Sequence, residues 1–251
     1  MKGNDFKGKN YLVTGGGRGI GRSIALKLAE QGGNILINYR NDEESARKTL
    51  RECTSIGAGA SIFKADLSTM EGITALAEYC SGTYGHLDGL VNNSGIYEGE
   101  ALEEISYESW QKVMATNINP VLFLTRALAK QLKTSKGSSV VNISSVLGFV
   151  SDKYGFAYQS SKAAIIHLTR SLAKSLGPDV RVNSVSPGFI MTDMNRDGWG
   201  DSEFKSKVEK KTILKRWGKS EEIAEAACFL LSSSASYITG ANIVVDGGIS
   251  L

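Results

Sequence analysis

Tyr158 and Lys162 stand four residues apart near the start of a helix-patterned segment, so both side chains project from one face into the same space. A phenol with a reference pKa of about 10 is a poor acid–base group at neutral pH, and a nearby ammonium favours the phenolate. Lys162 is therefore expected to lower the Tyr158 pKa. Thirteen residues upstream, Ser145 closes the run Asn142-Ile143-Ser144-Ser145, where its hydroxyl could hold a substrate carbonyl at the carboxyl edge of a sheet. Alone, Y-x-x-x-K is a weak signal. Nine tyrosines in 251 residues make chance pairs common, and most such pairs are surface neighbours worth roughly 0.2–0.5 kcal/mol. His86 and His167 have no comparable placement and read as solvated or packed.

Weight comes from a second cluster near the start of the chain. Thr14-Gly15-Gly16-Gly17-Arg18-Gly19-Ile20-Gly21 directly follows an apolar run and opens a helical one. Glycines let the backbone approach a pyrophosphate, whose charge is favoured by unpaired N–H groups at a helix N-terminus. The spacing is G-x-x-x-G-x-G, not the G-x-G-x-x-G of the usual dinucleotide fingerprint. Gly16 to Ser23 also spells G-x-x-x-x-G-R-S, but Arg22 stands where a P-loop needs Lys. At the end of the second apolar run, an Asp or Glu would hold the ribose hydroxyls of NAD. That end reads Asn38-Tyr39-Arg40, and Arg18 with Arg40 could flank a 2′-phosphate, so NADP(H) is preferred over NAD(H) by charge pairing. Asp42 and Glu43 argue the other way. They read better as first-turn acids of the next helix, behind a capping Asn41.

These residues need a scaffold to converge. Apolar, β-branched runs predict seven strands, at Tyr11–Thr14, Ile35–Asn38, Ser61–Ala65, Leu87–Asn92, Ser139–Ile143, Val180–Val185 and Asn242–Val245. Helical patterns between them cover Gly19–Gln31, Asp42–Ile56, Met70–Ser81, Tyr107–Leu132, Gly155–Leu176 and Ser220–Leu231. Such alternation implies an α/β fold, a parallel sheet with helices on both faces. No repeat or linker divides residues 1–251, so one dinucleotide-binding and catalytic domain is expected. The irregular, charged stretch at about 191–218 reads as a lid. From 205 to 219 the chain carries Lys205, Lys207, Lys210, Lys211, Lys215, Arg216 and Lys219 against the single acid Glu209, either a solvated helix face or a means of steering anionic substrates. Leu147, Phe149, Tyr154, Phe189 and Trp199 could line an apolar pocket. Pro120 should break the long helix by removing an N–H, freeing carbonyls for a water near Asn117 and Lys162.

With 41% hydrophobic and 22% charged residues and a net charge of +3, the composition is that of an ordinary globular chain, without the concentrated basic field of a nucleic-acid binder. Cys53, Cys80 and Cys228 are odd in number and widely spaced, suggesting neither a disulfide framework nor a metal site. The polar stretch from Met1 to Lys9 has no apolar leader and no long apolar run follows, so a cytoplasmic protein with no membrane span is expected.

Thr14-Gly15-x-x-x-Gly19-x-Gly21, Asn92-Asn93-Ser94-Gly95, Ser145 with Tyr158-x-x-x-Lys162, and Pro187-Gly188 with Thr192 together resemble the single-domain short-chain dehydrogenases/reductases. The match runs on to Val245-Asp246-Gly247-Gly248, and the overall look is most similar to the 3-oxoacyl-(acyl-carrier-protein) reductases. The resemblance implies a Rossmann-type seven-stranded sheet, a homotetramer, and a catalytic tetrad in which Asn117 joins Ser145, Tyr158 and Lys162. It implies NADP(H) held along Gly15, Arg18, Gly19, Ile20, Gly21, Tyr39 and Arg40, with Asp66 and Leu67 by the adenine. Asn93, Ser94 and Gly95 would follow the cofactor, and Pro187, Gly188, Ile190 and Thr192 would meet the nicotinamide, as would Tyr158 and Lys162. The implied reaction is NADPH-dependent reduction of a small carbonyl substrate, a 3-oxoacyl thioester or related ketone. Ser145 would hold the oxygen and Tyr158 donate the proton. Ser94 departs from the family's usual Ala. The family's carrier-docking arginines have no clean counterpart, since Lys136 fills one position and Gly177-Pro178-Asp179 replaces the other. A sugar or polyol dehydrogenase and a non-catalytic NADP-binding subunit are the alternatives.

Overall fold

A computed structural model describes residues 5–251. Seven parallel strands, β1 Asn10–Val13, β2 Asn34–Tyr39, β3 Ala60–Lys64, β4 Gly89–Asn92, β5 Ser139–Ile143, β6 Arg181–Pro187 and β7 Asn242–Val245, form one sheet in the order β3-β2-β1-β4-β5-β6-β7. Parallel neighbours require crossovers, and the helices that supply them cover both faces. Helices α1 (Gly19–Glu30), α2 (Glu43–Ser55) and α3 (Met70–Thr83) follow the first three strands, and α4 (Tyr107–Asn117) follows β4. Inner strands are buried throughout because their Leu, Val and Ile side chains meet helices on either side. One apolar cluster lies between the sheet and α1; the other holds Leu76, Leu90, Leu124, Val140 and Ile165 on the opposite face.

The predicted long helix is broken. After α4 comes a π-helical turn at Pro120–Leu124, then the short helices α5 (Thr125–Ala127) and α6 (Ala129–Thr134). Pro120 has no N–H to give the Thr116 carbonyl, so the ladder shifts register there instead of running through. Beyond β5, α7 spans Phe156–Leu176 and starts at Gly155 in the left-handed conformation. The stretch expected to be irregular is largely helical: α8 (Arg196–Gly200) and α9 (Ser202–Lys211) precede α10 (Ser220–Leu231). Asp201 caps α9 by accepting from the Glu203 and Phe204 N–H groups. Buried Trp217 pins this segment, its ring edge-on to Phe189 and Phe204 and its Nε1 donating to the Lys205 carbonyl at 3.3 Å. The segment lies C-terminal to β6, over the carboxyl ends of the strands.

Capping of α2 corrects the sequence reading in one respect. Asp42, not Asn41, is the cap, its carboxylate accepting from the Ser45 N–H at 2.9 Å and hydroxyl at 2.7 Å. Among the described residues, no helix is long and apolar enough to cross a membrane.

Candidate active site

The strand order reverses between β1 and β4, and the loops leaving their carboxyl ends diverge there to open a cleft of about 330 Å³. Its floor is the glycine loop. Gly15 and Gly19 have φ of +61° and +53°, a region open to glycine at no steric cost. At Gly21 a Cβ would stand 2.4 Å from the Gly15 carbonyl oxygen and 2.5 Å from Asn93 Nδ2, so only glycine lets α1 begin this close beneath the loop. Thr14 clamps the loop to β4: its hydroxyl accepts from the Asn93 and Ser94 N–H groups at 2.9 and 3.0 Å. Asn93 Nδ2 in turn donates to the Thr14 and Gly15 carbonyls. Arg18, as the residue before α1, makes no side-chain cap, which leaves first-turn N–H groups of Gly19 and Ile20 facing the cleft.

At the far end Tyr39, Arg40, Asp66 and Arg18 line the same cleft. Burial opposes ionisation of Asp66, but hydrogen bonds from the Ser68 N–H and hydroxyl, with Arg40 nearby, outweigh it and hold the carboxyl below its usual value. Hydrogen bonds from Ser45 likewise hold Asp42 low, with Arg18 adding to the effect. Neither Arg18 nor Arg40 forms an ion pair among the described residues. Asn38, Asn41, Asp42, Ser45, Ala65, Ile96, Thr116, Asp193 and Met194 also line the cleft without having been singled out as cofactor residues. Ser45 had a readable signal, a hydroxyl in the first turn of a helix that starts beside the basic pair. Of the residues expected at the cofactor, Gly15, Arg18, Gly19, Ile20, Tyr39, Arg40, Asp66, Asn93, Ser94, Gly95 and Thr192 are on the wall. Gly21, Leu67, Tyr158, Lys162, Pro187, Gly188 and Ile190 are not on the wall. Leu67 and Ile190 pack into the two apolar clusters, and Gly188 is pressed against Asp246.

At the inner end, a Cβ on Gly95 would stand 3.3 Å from Asn117 Oδ1 and 3.6 Å from Lys162 Nζ. Asn117 is wholly buried and both its amide N–H donors are committed: Oδ1 accepts from the Ile96 N–H at 2.9 Å, while Nδ2 donates to the Ile96 carbonyl at 3.1 Å and Ser161 Oγ at 2.9 Å. Ser145 Oγ accepts from the Leu147 N–H at 3.1 Å, which leaves its own proton free to donate. Lys162, 4% exposed, donates to the Ile143 carbonyl at 2.9 Å and has two further N–H donors.

Here the geometry corrects the expected tuning. Lys162 Nζ lies 5.4 Å from the centroid of the Tyr158 ring, over its face. Burial pushes the Tyr158 phenol up to about 12; the neighbouring Ser145 hydroxyl pulls the other way and Tyr97, edge-on at 5.1 Å, adds to the rise. Burial also brings Lys162 itself down to about 8. Burial dominates at Tyr158, and Lys162 is not among the groups that shift its phenol here.

A second cavity, about 220 Å³, opens past Ser145 between Val146, Leu147, Val150 to Asp152, Phe189, α9 and Ile249-Ser250. Leu147 and Phe189 line it as expected. Phe149 and Tyr154 do not, being 49% and 42% exposed, and Trp199 instead donates its Nε1 to the Thr192 carbonyl.

A family model described as Enoyl-(Acyl carrier protein) reductase matches residues 15–250. The chain belongs to the short-chain dehydrogenase/reductase family. It is 36% identical to the L-rhamnose 1-dehydrogenase (NADP(+)) of Thermoplasma acidophilum, over 98% of this chain and 97% of that one. It is equally 36% identical to a 3-oxoacyl-[acyl-carrier-protein] reductase of Staphylococcus aureus, over 96% and 98%. A Pseudomonas aeruginosa structure described as an RhlG/NADP active-site complex superposes with a TM-score of 0.94 at 35% identity, with both chains fully covered. This short-chain dehydrogenase/reductase is therefore an NAD(P)-dependent oxidoreductase working on the CH–OH/C=O pair. The cleft fits the dinucleotide that the family uses. A glycine cradle that a Cβ would fill at Gly21, and an uncapped helix start at Gly19, are what a pyrophosphate needs.

Proposed function

We propose that this protein reduces a carbonyl to an alcohol with NADP(H), through Ser145, Tyr158, Lys162 and Asn117, and that its substrate is a 3-oxoacyl thioester or related ketone. The observation that carries the reading is the buried phenol of Tyr158, beside Ser145 and under Lys162, whose Nζ lies next to Gly95 on the wall of the dinucleotide cleft. A group that keeps its proton is an acid, which suits reduction better than oxidation.

When bound, the nicotinamide cofactor supplies hydride. Ser145 donates to the carbonyl oxygen and fixes its place. Tyr158 gives its phenolic proton to that oxygen as charge builds there, a contribution of about 10²–10⁴-fold for a positioned acid. Lys162, anchored on the Ile143 carbonyl, offers its remaining donors to the ribose hydroxyls. Asn117 sets the loop at Ile96 and the helix at Ser161 on which the others depend. Arg18 and Arg40, neither in an ion pair within 4 Å among the described residues, favour a 2′-phosphate. The NADP(+) in the name of the rhamnose relative and the NADP of the Pseudomonas complex support the same choice. That relative also favours a second reading, oxidation of a sugar. The family resemblance further suggests a homotetramer, to which the exposed Val244 on edge strand β7 and nearby Tyr237 would contribute. Three buried, unpaired cysteines suit a reducing cytoplasm.

The test is a paired measurement on wild type and Tyr158→Phe. NADPH loss is followed with acetoacetyl thioesters, diketones and aldehydes, NADP reduction with sugars, and NADPH and NADH binding by titration. Turnover of a ketone that falls at least a hundredfold in the variant, with NADPH binding retained and tighter than NADH, is expected. Undiminished turnover in Tyr158→Phe overturns the assignment. Activity on sugars alone selects the second reading, and tight NADPH binding with no activity selects a regulatory subunit.

A further inference from the structure

The second cavity has an unusual wall. Phe204, Lys207, Val208 and Lys211 are spaced i, i+3, i+4 and i+7 on α9, so they form one face of that helix, and all four line the cavity. Two are apolar and two cationic. Opposite stand Leu147, two residues past Ser145, and Phe189. The only acid on the wall is Asp152, which accepts from the Tyr154 N–H at 3.2 Å. Among the described residues neither Lys207 nor Lys211 has a carboxylate within 4 Å. Lys205 and Lys210, equally charged, are not on this wall. At about 220 Å³ the cavity has room for a short apolar body.

We propose that this cavity is a substrate subsite that takes an apolar body ending in an anion, a carboxylate or a phosphate, with Lys207 and Lys211 as its recognition pair. The apolar floor desolvates the body while the two ammonium groups at the rim meet the charge without leaving water. The inference deepens the reductase reading and rests on it for placing the reacting carbonyl at Ser145, the residue before Val146 and Leu147 on the cavity wall. Lys207 and Lys211 share the cavity-facing stripe with Phe204 and Val208, while Lys205 and Lys210 are off it.

Trp217, packed on Phe189 and Phe204, reports occupancy without turnover. Octanoate, octyl phosphate and methyl octanoate are titrated against the intact enzyme by tryptophan fluorescence. In parallel, a medium-chain oxo acid with its ketone and carboxylate at opposite ends is compared with its methyl ester as substrate. At least one anion should bind about tenfold more tightly than the neutral ester, the yield of two partly exposed charge pairs. The tighter of octanoate and octyl phosphate names the anion. Lys207→Gln/Lys211→Gln should remove that preference, in KM and not kcat for the oxo acid. Lys207→Arg/Lys211→Arg and the off-wall control Lys205→Gln/Lys210→Gln should keep it. Equal binding of acid and ester by wild type overturns the subsite, and so does an equal loss in the off-wall control, which would mean a diffuse field. Anion binding through the pair with no ketone turned over defeats the reductase reading and leaves the subsite standing; ketone turnover blind to charge does the reverse.

Discussion

Replacing Asn117 by alanine should weaken the fold as well as the chemistry. The amide makes three hydrogen bonds, two to the Ile96 main chain and one to Ser161 Oγ, from a side chain with no solvent exposure. Truncation leaves the Ile96 N–H and carbonyl without partners, at about 1 kcal/mol each on the low side because Ile96 is only half-buried. Ser161 still donates to the Tyr158 carbonyl at 2.7 Å and loses only an outlet for its lone pair. With the small void added, the loss is about 2–3 kcal/mol, or roughly 4–12 °C in Tm at about 2–4 °C per kcal/mol for a chain of this size. Cofactor affinity should fall too, since Ile96 lines the cleft. Differential scanning calorimetry and cofactor titration on Asn117→Ala measure both. Asn117→Asp, which keeps an acceptor for the Ile96 N–H, should fall between the two. A variant with wild-type Tm and wild-type cofactor affinity but depressed kcat would refute this account and return Asn117 to a purely chemical role.

Two further outcomes follow from the same geometry. Lys162 has a folded pKa of about 8 against 10.5 for the free group, so between those values the unfolded chain binds the proton that the folded one releases, and stability rises with pH. Stability of wild type minus that of Lys162→Met, from urea melts, should increase by about 1 kcal/mol from pH 8 to pH 9; a flat difference means that Lys162 is not desolvated. In the glycine loop, Gly21→Ala places a Cβ against the Gly15 carbonyl and Asn93, neither of which can yield cheaply, and should weaken cofactor binding at least tenfold by titration. Gly82→Ala, on α3 with open space around it, should leave binding unchanged and stabilise the helix by about 0.5 kcal/mol.

Much of the site could be read from order and spacing. Y-x-x-x-K, a hydroxyl after the fifth strand and glycines between the first strand and helix are local patterns, fixed by helix pitch and by the φ that only glycine adopts freely. The inner strands were visible because a run buried on both faces is mostly apolar and β-branched, and the half-exposed edge strands β3 and β7 because they keep β-branched residues between turn signals. Local propensity did not reveal the exact cap of α2, where Asp42 and Asn41 are equally good candidates until Ser45 chooses one. It also misjudged residues 191–218, whose helices depend on Trp217 packing from the far end of the segment.

What the sequence determined by itself is thus the parallel α/β class and the break at Pro120, together with the candidate side chains proposed for the reaction, because each follows from periodicity or from the chemistry of one residue. Tertiary structure decided the rest. The direction of the Tyr158 pKa depends first on burial of the ring and then on Ser145 and Tyr97 beside it, contacts that no spacing encodes. The role of Asn117 depends on Ile96 and Ser161, 21 and 44 residues away. The selection of Lys207 and Lys211 from a run of lysines depends on which face of α9 the fold turns toward Ser145.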